Sequence, residues 1–428
     1  MRILLRGGRV IDPAHQLDAV TDLFIAEGRI AGIGEPPAGF VTERELEVRN
    51  RIVCPGLIDL CARLREPGQE HKATIASESA AAAAGGITTL VCPPDTDPVI
   101  DEPAVVELIR RRAQAAGLAR VLTLGALTHR LRGERLAEMA ALKEAGCVGV
   151  SDGGRPLTHR RVLRRALEYA ATFDLTVFLT PLDPDLGYGV AHEGQVATRM
   201  GLVGIPAAAE TGVIAHSLEL IRDLGVRVHF GRLSCARSVE LVARAQAEGL
   251  PVTADVAIHQ LHLSEMDLLG FDSQCHVQPP LRGLRDRDAL RAGLAGGAVG
   301  ALCSDHQPHE PDAKQAPFGD TAPGISGLDT LLALGLRLVQ ENVLPLPTLI
   351  ERLTWGPARI LGLDRGHLGV GAAADLCVFD PAADWRVTAD TLHSHGQNSP
   401  FLGWELQGRV TQTLLDGRPV YTLRKGAS

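Results

Sequence analysis

From residue 51 to residue 365 the chain alternates short apolar runs with stretches whose apolar residues recur at helical spacing. The runs fall at 52–59, 87–91, 121–124, 147–151, 176–179, 227–231, 252–256 and 301–304. Amphipathic patterns at 104–115, 136–145, 162–173, 210–224, 239–248, 286–295 and 328–340 separate and follow them. Alternation on this scale predicts parallel strands joined by crossover helices. Eight such units over about 310 residues predict a (β/α)8 barrel of the TIM type. The two ends read differently. Residues 1–50 and 366–428 are short β-like runs broken by turns. Gly7-Gly8 and Glu27-Gly28 read as hairpins, and Asp416-Gly417 is a strong hairpin signal. Both ends are therefore expected to pair into one small β-sandwich, a composite domain of 1–50 with 366–428 beside a barrel of 51–365.

Composition narrows the function classes. Asp and Glu (51) outnumber Lys and Arg (43), which argues against a nucleic-acid footprint. Aromatic residues are only 4% of the chain, too few for base-stacking platforms. No run approaches the roughly 20 apolar residues of a membrane helix, and the N-terminus has no signal-peptide core. The eight cysteines are scattered without a C-x-x-C pair, as expected for reduced thiols in the cytoplasm. Fifteen histidines are enough for a metal site several times over, so their positions decide the matter.

In a barrel of this kind the chemistry sits at the C-terminal strand ends. The first run leads into Asp59-Leu-Cys61-Ala-Arg63-Leu-Arg65-Glu-Pro-Gly68, and the eighth into Ser304-Asp305-His306-Gln-Pro-His309. With Ala84-Gly-Gly-Ile-Thr88, Cys92-Pro-Pro-Asp95-Thr96, Cys147-Val-Gly-Val-Ser-Asp152, Val277-Gln-Pro-Pro-Leu-Arg282 and Asn398-Ser-Pro-Phe401, these motifs make the chain resemble the dihydroorotase branch of the cyclic amidohydrolases. The resemblance spans essentially the whole chain. It implies a metal-dependent barrel flanked by a sandwich from both termini.

The chain departs from the family at the metal. The resemblance places His-x-His where Cys61 and Arg63 stand, and further histidines where Thr180 and Arg232 stand. The acids of strands four and eight remain as Asp152 and Asp305. A catalytic zinc takes three protein ligands from His, Cys, Asp or Glu. A guanidinium stays protonated and offers no lone pair. Two unit charges about 4 Å apart repel by about 4 kcal/mol at an effective dielectric of about 20, and a dication feels twice that from each arginine. None of Lys72, Lys143, Lys314 and Lys425 ends a predicted strand, which removes a carboxylated-lysine bridge. The expectation is therefore no metal and no cofactor, with Arg63 and Arg232 pairing with Asp305 and Asp152 in place of the ions. On the substrate side, Arg65 and His309 match the family's carboxylate-holding residues. Asp95 replaces an asparagine and is expected to repel an anion.

Within the family the resemblance is nearest to inactive homologues that form the non-catalytic subunit of bacterial aspartate transcarbamoylase. It implies a pseudoenzyme in a large cytoplasmic hetero-oligomer with the transcarbamoylase catalytic chain, serving pyrimidine biosynthesis. Two alternatives stay open. One is an active zinc-dependent dihydroorotase or related cyclic-amide hydrolase that uses Cys61 and Asp305 as ligands. The other is a free-standing binder of a small anion held by Arg63, Arg65 and Arg232.

Overall fold

The structure is a computed structural model and describes residues 1–157 and 159–424. Eight parallel strands form the barrel: Leu57–Asp59, Ile87–Cys92, Arg120–Ala126, Gly149–Ser151, Val177–Leu179, Val228–Phe230, Val252–Ala257 and Ala301–Cys303. They are numbered one to eight in that order. The ring closes just beyond strands one and eight, where Ala62 bridges His306. There the Arg63 N–H donates to the His306 carbonyl at 2.9 Å, and the His306 N–H to the Cys61 carbonyl at 3.2 Å. The barrel strands are short and buried on both faces, so they read as apolar runs rather than alternating ones.

The chain's ends pair into a second, eight-stranded sheet that surrounds its own core of Ile3, Leu23, Ile25, Leu376 and Leu414. Here the structure corrects two expectations. The run at 52–59 is two strands: Ile52–Pro55 joins the terminal sheet, and only Leu57–Asp59 enters the barrel. Gly56 is the pivot. A Cβ on it would lie 2.2 Å from Thr88 Oγ1, so only glycine lets the chain pass from one sheet to the other. Gly7-Gly8 is not a hairpin but a bulge inside the strand Arg2–Asp12. Gly7 takes φ 72° and donates its N–H to Asp22 Oδ1 at 2.8 Å. The Glu27-Gly28 and Asp416-Gly417 hairpins are where the sequence placed them.

One helix that the periodicity does not single out, Ile75–Ala84, lies between the barrel and the terminal sheet. Its five consecutive alanines give no amphipathic stripe because two faces are buried at once. Thr74 and Ser77 cap it reciprocally, and Thr413 Oγ1 donates to the Ala83 carbonyl at 2.6 Å. Two further helices after strand eight, Leu346–Leu353 and Trp355–Leu361, complete the outer layer. Among the described residues no helix is long and apolar enough to cross a membrane.

Candidate functional site

At the barrel mouth, Asp305 follows strand eight and is 1% exposed. Arg232, from the turn after strand six, places Nη1 at 3.0 Å from Asp305 Oδ1. Arg63, from the turn after strand one, places its own Nη1 at 3.3 Å from the same oxygen. Cys61 Sγ lies 3.5 Å from that oxygen, and Gln307 Nε2 is 3.3 Å from Oδ2. Burial opposes the charge on Asp305. The Arg232 and Arg63 guanidiniums outweigh it and hold the carboxyl below its usual range.

Each arginine has a second anchor. Arg63 Nε donates to Asp95 Oδ2 at 2.6 Å, and Arg232 Nη2 to Thr180 Oγ1 at 2.5 Å. Asp95 is thus a partner for Arg63 rather than a free charge that repels anions, which corrects the sequence expectation. The pairing with Asp152 is also corrected, because Arg63 and Arg232 both bond to Asp305 instead. The Asp152 oxygens accept the backbone N–H groups of Gly154 (2.9 Å) and Thr180 (3.0 Å). Burial pushes its pKa up to about 6, against those hydrogen bonds and the nearby Arg232. The reason is local geometry. Arg232 stands at φ 59°, in a turn held by its N–H to Asp255 Oδ1 at 2.5 Å, and that orientation aims the side chain at Asp305. Asp255 is in turn fixed by His229 Nε2 at 3.0 Å. Neither Asp255 nor His229 was a candidate from sequence. Their signal is that strands six and seven pair in register with both residues on one face.

Arg65 and His309 come together, with Nη2 at 3.0 Å from Nε2, and Arg65 Nε also donates to the Pro308 carbonyl at 3.0 Å. Burial, Arg65 and Lys72 pull the His309 pKa down to about 3, so it is neutral. The space bounded by Arg63, Arg65 and Asp95 is about 10 Å3, no more than one water needs. His259, after strand seven, is 1% exposed, and among the described residues neither of its ring nitrogens meets a hydrogen-bond partner. Burial lowers its pKa to about 4. His306 Nε2 bonds to buried Glu78 at 2.7 Å, which ties the mouth to Ser394 and His395. The His393-Ser-His395 pair therefore serves loop anchoring, with His393 Nδ1 on Asp329 at 3.1 Å.

The residues at the mouth do not fit a zinc ion. Burial drives the Cys61 thiol far above its ordinary pKa, away from the thiolate a metal binds. Thr180 is engaged by Arg232, and Asp305 Oδ1 is engaged by both guanidiniums. Among the described residues no group of three or more His, Cys, Asp or Glu is placed to hold a metal ion. Lys314 donates to the backbone carbonyls of Ser273 and His276, away from the strand ends, and Lys425 lies outside the described residues.

Residues 50–238 match the dihydro-orotase-like family and residues 287–421 the amidohydrolase family. Among solved structures, an L-hydantoinase (dihydropyrimidinase) from Arthrobacter aurescens covers 99% of this chain and 97% of its own, with a TM-score of 0.88 at 22% identity. A dihydropyrimidinase from Brevibacillus agri gives a TM-score of 0.83 at 19% identity, covering 99% and 95%. These similarities establish the fold as the amidohydrolase barrel with its flanking sheet. A "Dihydroorotase-like protein" of Pseudomonas aeruginosa PAO1 is 54% identical over 418 residues, 97% of this chain and 99% of that one. A "Dihydroorotase" of Geobacter sp. strain M21 is 44% identical over 422 residues, covering 98% and 99%. The chain belongs to the dihydroorotase-like family of amidohydrolases.

Proposed function

We propose that the chain is a non-catalytic, dihydroorotase-like subunit that carries no zinc. In this reading it assembles in the cytoplasm with the catalytic chain of an aspartate transcarbamoylase and supports its activity in pyrimidine biosynthesis. The observation that carries the reading is the double lock on Asp305. The one strand-eight acid that a hydrolytic metal would need is already neutralised by two guanidiniums, each with a further anchor. A metal-activated water has no place to form there, and without one a cyclic-amide hydrolase of this family lacks its nucleophile. The barrel nevertheless keeps its whole core, which fits a role as a scaffold. The partner comes from the sequence resemblance.

The test is co-expression with the transcarbamoylase catalytic chain of the same organism, followed by sizing and activity assays. One large species containing both chains, with transcarbamoylase activity that falls when they are separated, is the expected result. Separate elution with unchanged transcarbamoylase activity overturns the reading. A second reading, an active cyclic-amide hydrolase with a remodelled site, draws on the relatives named dihydroorotase at 44% identity. Stoichiometric zinc together with dihydroorotate turnover decides for it.

A further inference from the structure

The turns that follow barrel strands three and four carry six exposed arginines. Arg130, Arg132 and Arg135 lie in the first turn. Arg155 lies in the second, and Arg160 and Arg161 open the helix Arg160–Thr172 behind it. The two turns form one surface. Leu131 is buried against Gly153, where a Cβ would come within 2.8 Å of Leu131 Cδ1, and a Cβ on Gly133 would meet Leu157 Cδ2 at 3.6 Å. Backbone bonds hold the frame: the His129 N–H donates to the Arg135 carbonyl and the Arg155 N–H to the Asp152 carbonyl, both at 2.9 Å.

Three observations set this surface apart from ordinary solvated charge. First, among the described residues none of the six guanidiniums has an ion-pair or hydrogen-bond partner. Further along the same helix, Arg164 and Arg165 both pair with Glu168, at 3.1 and 2.6 Å. Second, the nearby carboxylates are engaged or outnumbered. Asp101 accepts the Arg130 backbone N–H at 2.8 Å and holds His129 Nδ1 at 2.7 Å. Glu134 and Glu138 are the exposed acids beside the first turn, so the surface is positive on a chain whose net charge is -8. Third, an apolar edge adjoins it. Pro156, Leu157 and Arg160 face Pro184 and Asp185, of the loop after strand five, across one cavity. Past Asp185 that loop leaves Leu186 42% and Tyr188 75% exposed. Val203, 50% exposed, lies alongside, its carbonyl accepting the Val190 N–H at 2.9 Å.

Unpaired guanidiniums offer planar forks that match carboxylates bidentately, and their summed field attracts an acidic surface from a distance. Exposed apolar side chains beside them favour a protein over a nucleic acid, which presents mainly phosphates and sugars. We propose that this face receives an acidic protein partner, its arginines meeting carboxylates and Leu186 and Tyr188 meeting an apolar patch. Naming the transcarbamoylase catalytic chain as that partner rests on the function proposed above; the acidic character required of the partner does not.

The test reverses charge on the full-length chain. Arg132→Glu with Arg161→Glu is compared with Arg132→Lys with Arg161→Lys, and with a control, Arg237→Glu with Arg244→Glu, on the helix Ala236–Ala247. Each is mixed with the transcarbamoylase catalytic chain, and assembly is read by sizing and calorimetry. The glutamate pair should assemble at least about tenfold more weakly than wild type, and the lysine pair and the control within about twofold of it. Wild-type affinity should fall as salt is added. Arg161→Glu alone carries the test if the double variant does not fold. A wild-type complex that the glutamate pair forms equally well overturns the proposal and leaves the proposed function standing. If wild type forms no complex, the transcarbamoylase reading falls, and poly-L-glutamate on the chain alone decides the surface. Salt-sensitive binding that the glutamate pair loses supports the acidic-partner face. Absent binding, binding kept by the glutamate pair, or an oligonucleotide held more than about tenfold more tightly overturns it.

Discussion

Asp305→Asn isolates the charge at the locked centre from its shape. The amide keeps an acceptor oxygen near Arg232 Nη1 and Arg63 Nη1, now 3.0 and 3.3 Å from Asp305 Oδ1, but removes the negative charge between them. All three side chains are nearly excluded from solvent. Leaving a buried charge uncompensated costs about 3–5 kcal/mol. At about 2.1 cal/mol/K per residue, 428 residues carry an unfolding entropy of about 0.9 kcal/mol/K, so Tm should fall by about 3–6 °C at pH 7. Asp95→Asn removes the other partner of Arg63, but that side chain is 19% exposed, and about 1–2 °C is expected. The pH dependence has a definite sign. The folded pKa of Asp305 lies below its unfolded value near 3.9, so its stabilisation is present above about pH 4 and is lost as pH falls through the folded value. Thermal melts of wild type and variant should therefore differ most at neutral pH and converge in acid. A gap under about 1 °C at pH 7, or one that widens in acid, would refute the ion-pair account.

Asp152 has the opposite linkage. Its folded pKa of about 6 exceeds the unfolded value, so its contribution is full below about pH 4 and is lost as pH rises through 6. Asp152→Asn should be more stable than wild type at pH 8 by up to about 3 kcal/mol and indistinguishable at pH 4, as read from denaturant midpoints. Gly56→Ala would drive a methyl into Thr88, and should cost about 1–3 kcal/mol, read as a lower denaturant midpoint. All eight cysteines are free and buried, so a thiol reagent should label native protein slowly and all eight quickly in denaturant. Rapid labelling of native Cys61 would contradict the closed mouth.

All eight barrel strands were legible because burial on both faces makes each a bounded apolar run, and strands two to eight each have a helix-period stretch behind them. What periodicity could not resolve is where one run serves two sheets. The apolar stretch 52–59 carries no polar residue before Asp59, and its break is the Pro55-Gly56 pair, where Gly56 packs against Thr88. The alanine helix Ile75–Ala84 was invisible for the related reason that a helix buried on two sides has no stripe. At the site, the residue types were readable and the partners were not. Sequence placed two arginines and two acids at the mouth, but pairing depends on which way each turn aims its side chain. Arg232 is aimed by the N–H bond to Asp255, a residue on the neighbouring strand. Asp95 was read by charge alone, and its meaning reversed once Arg63 Nε lay 2.6 Å away.

The backbone of the mouth explains why Asp305 stands where two arginines must meet it. Arg65, Arg232 and Asp305 occupy the left-handed region at φ 62°, 59° and 46°, conformations that cost non-glycine residues about 1–3 kcal/mol each. Such strain survives only where other bonds enforce it. Those bonds here also close the barrel: the Arg63 N–H to the His306 carbonyl, the His306 N–H to the Cys61 carbonyl, and Ser304 N to Asp59 Oδ1 at 3.0 Å all join strand one to strand eight. Asp305 lies between two of these anchors. The acid therefore cannot be moved away without loosening the seam of the barrel, and if it stays it needs a cation. Arginines at positions 63 and 232 supply that cation from within the chain.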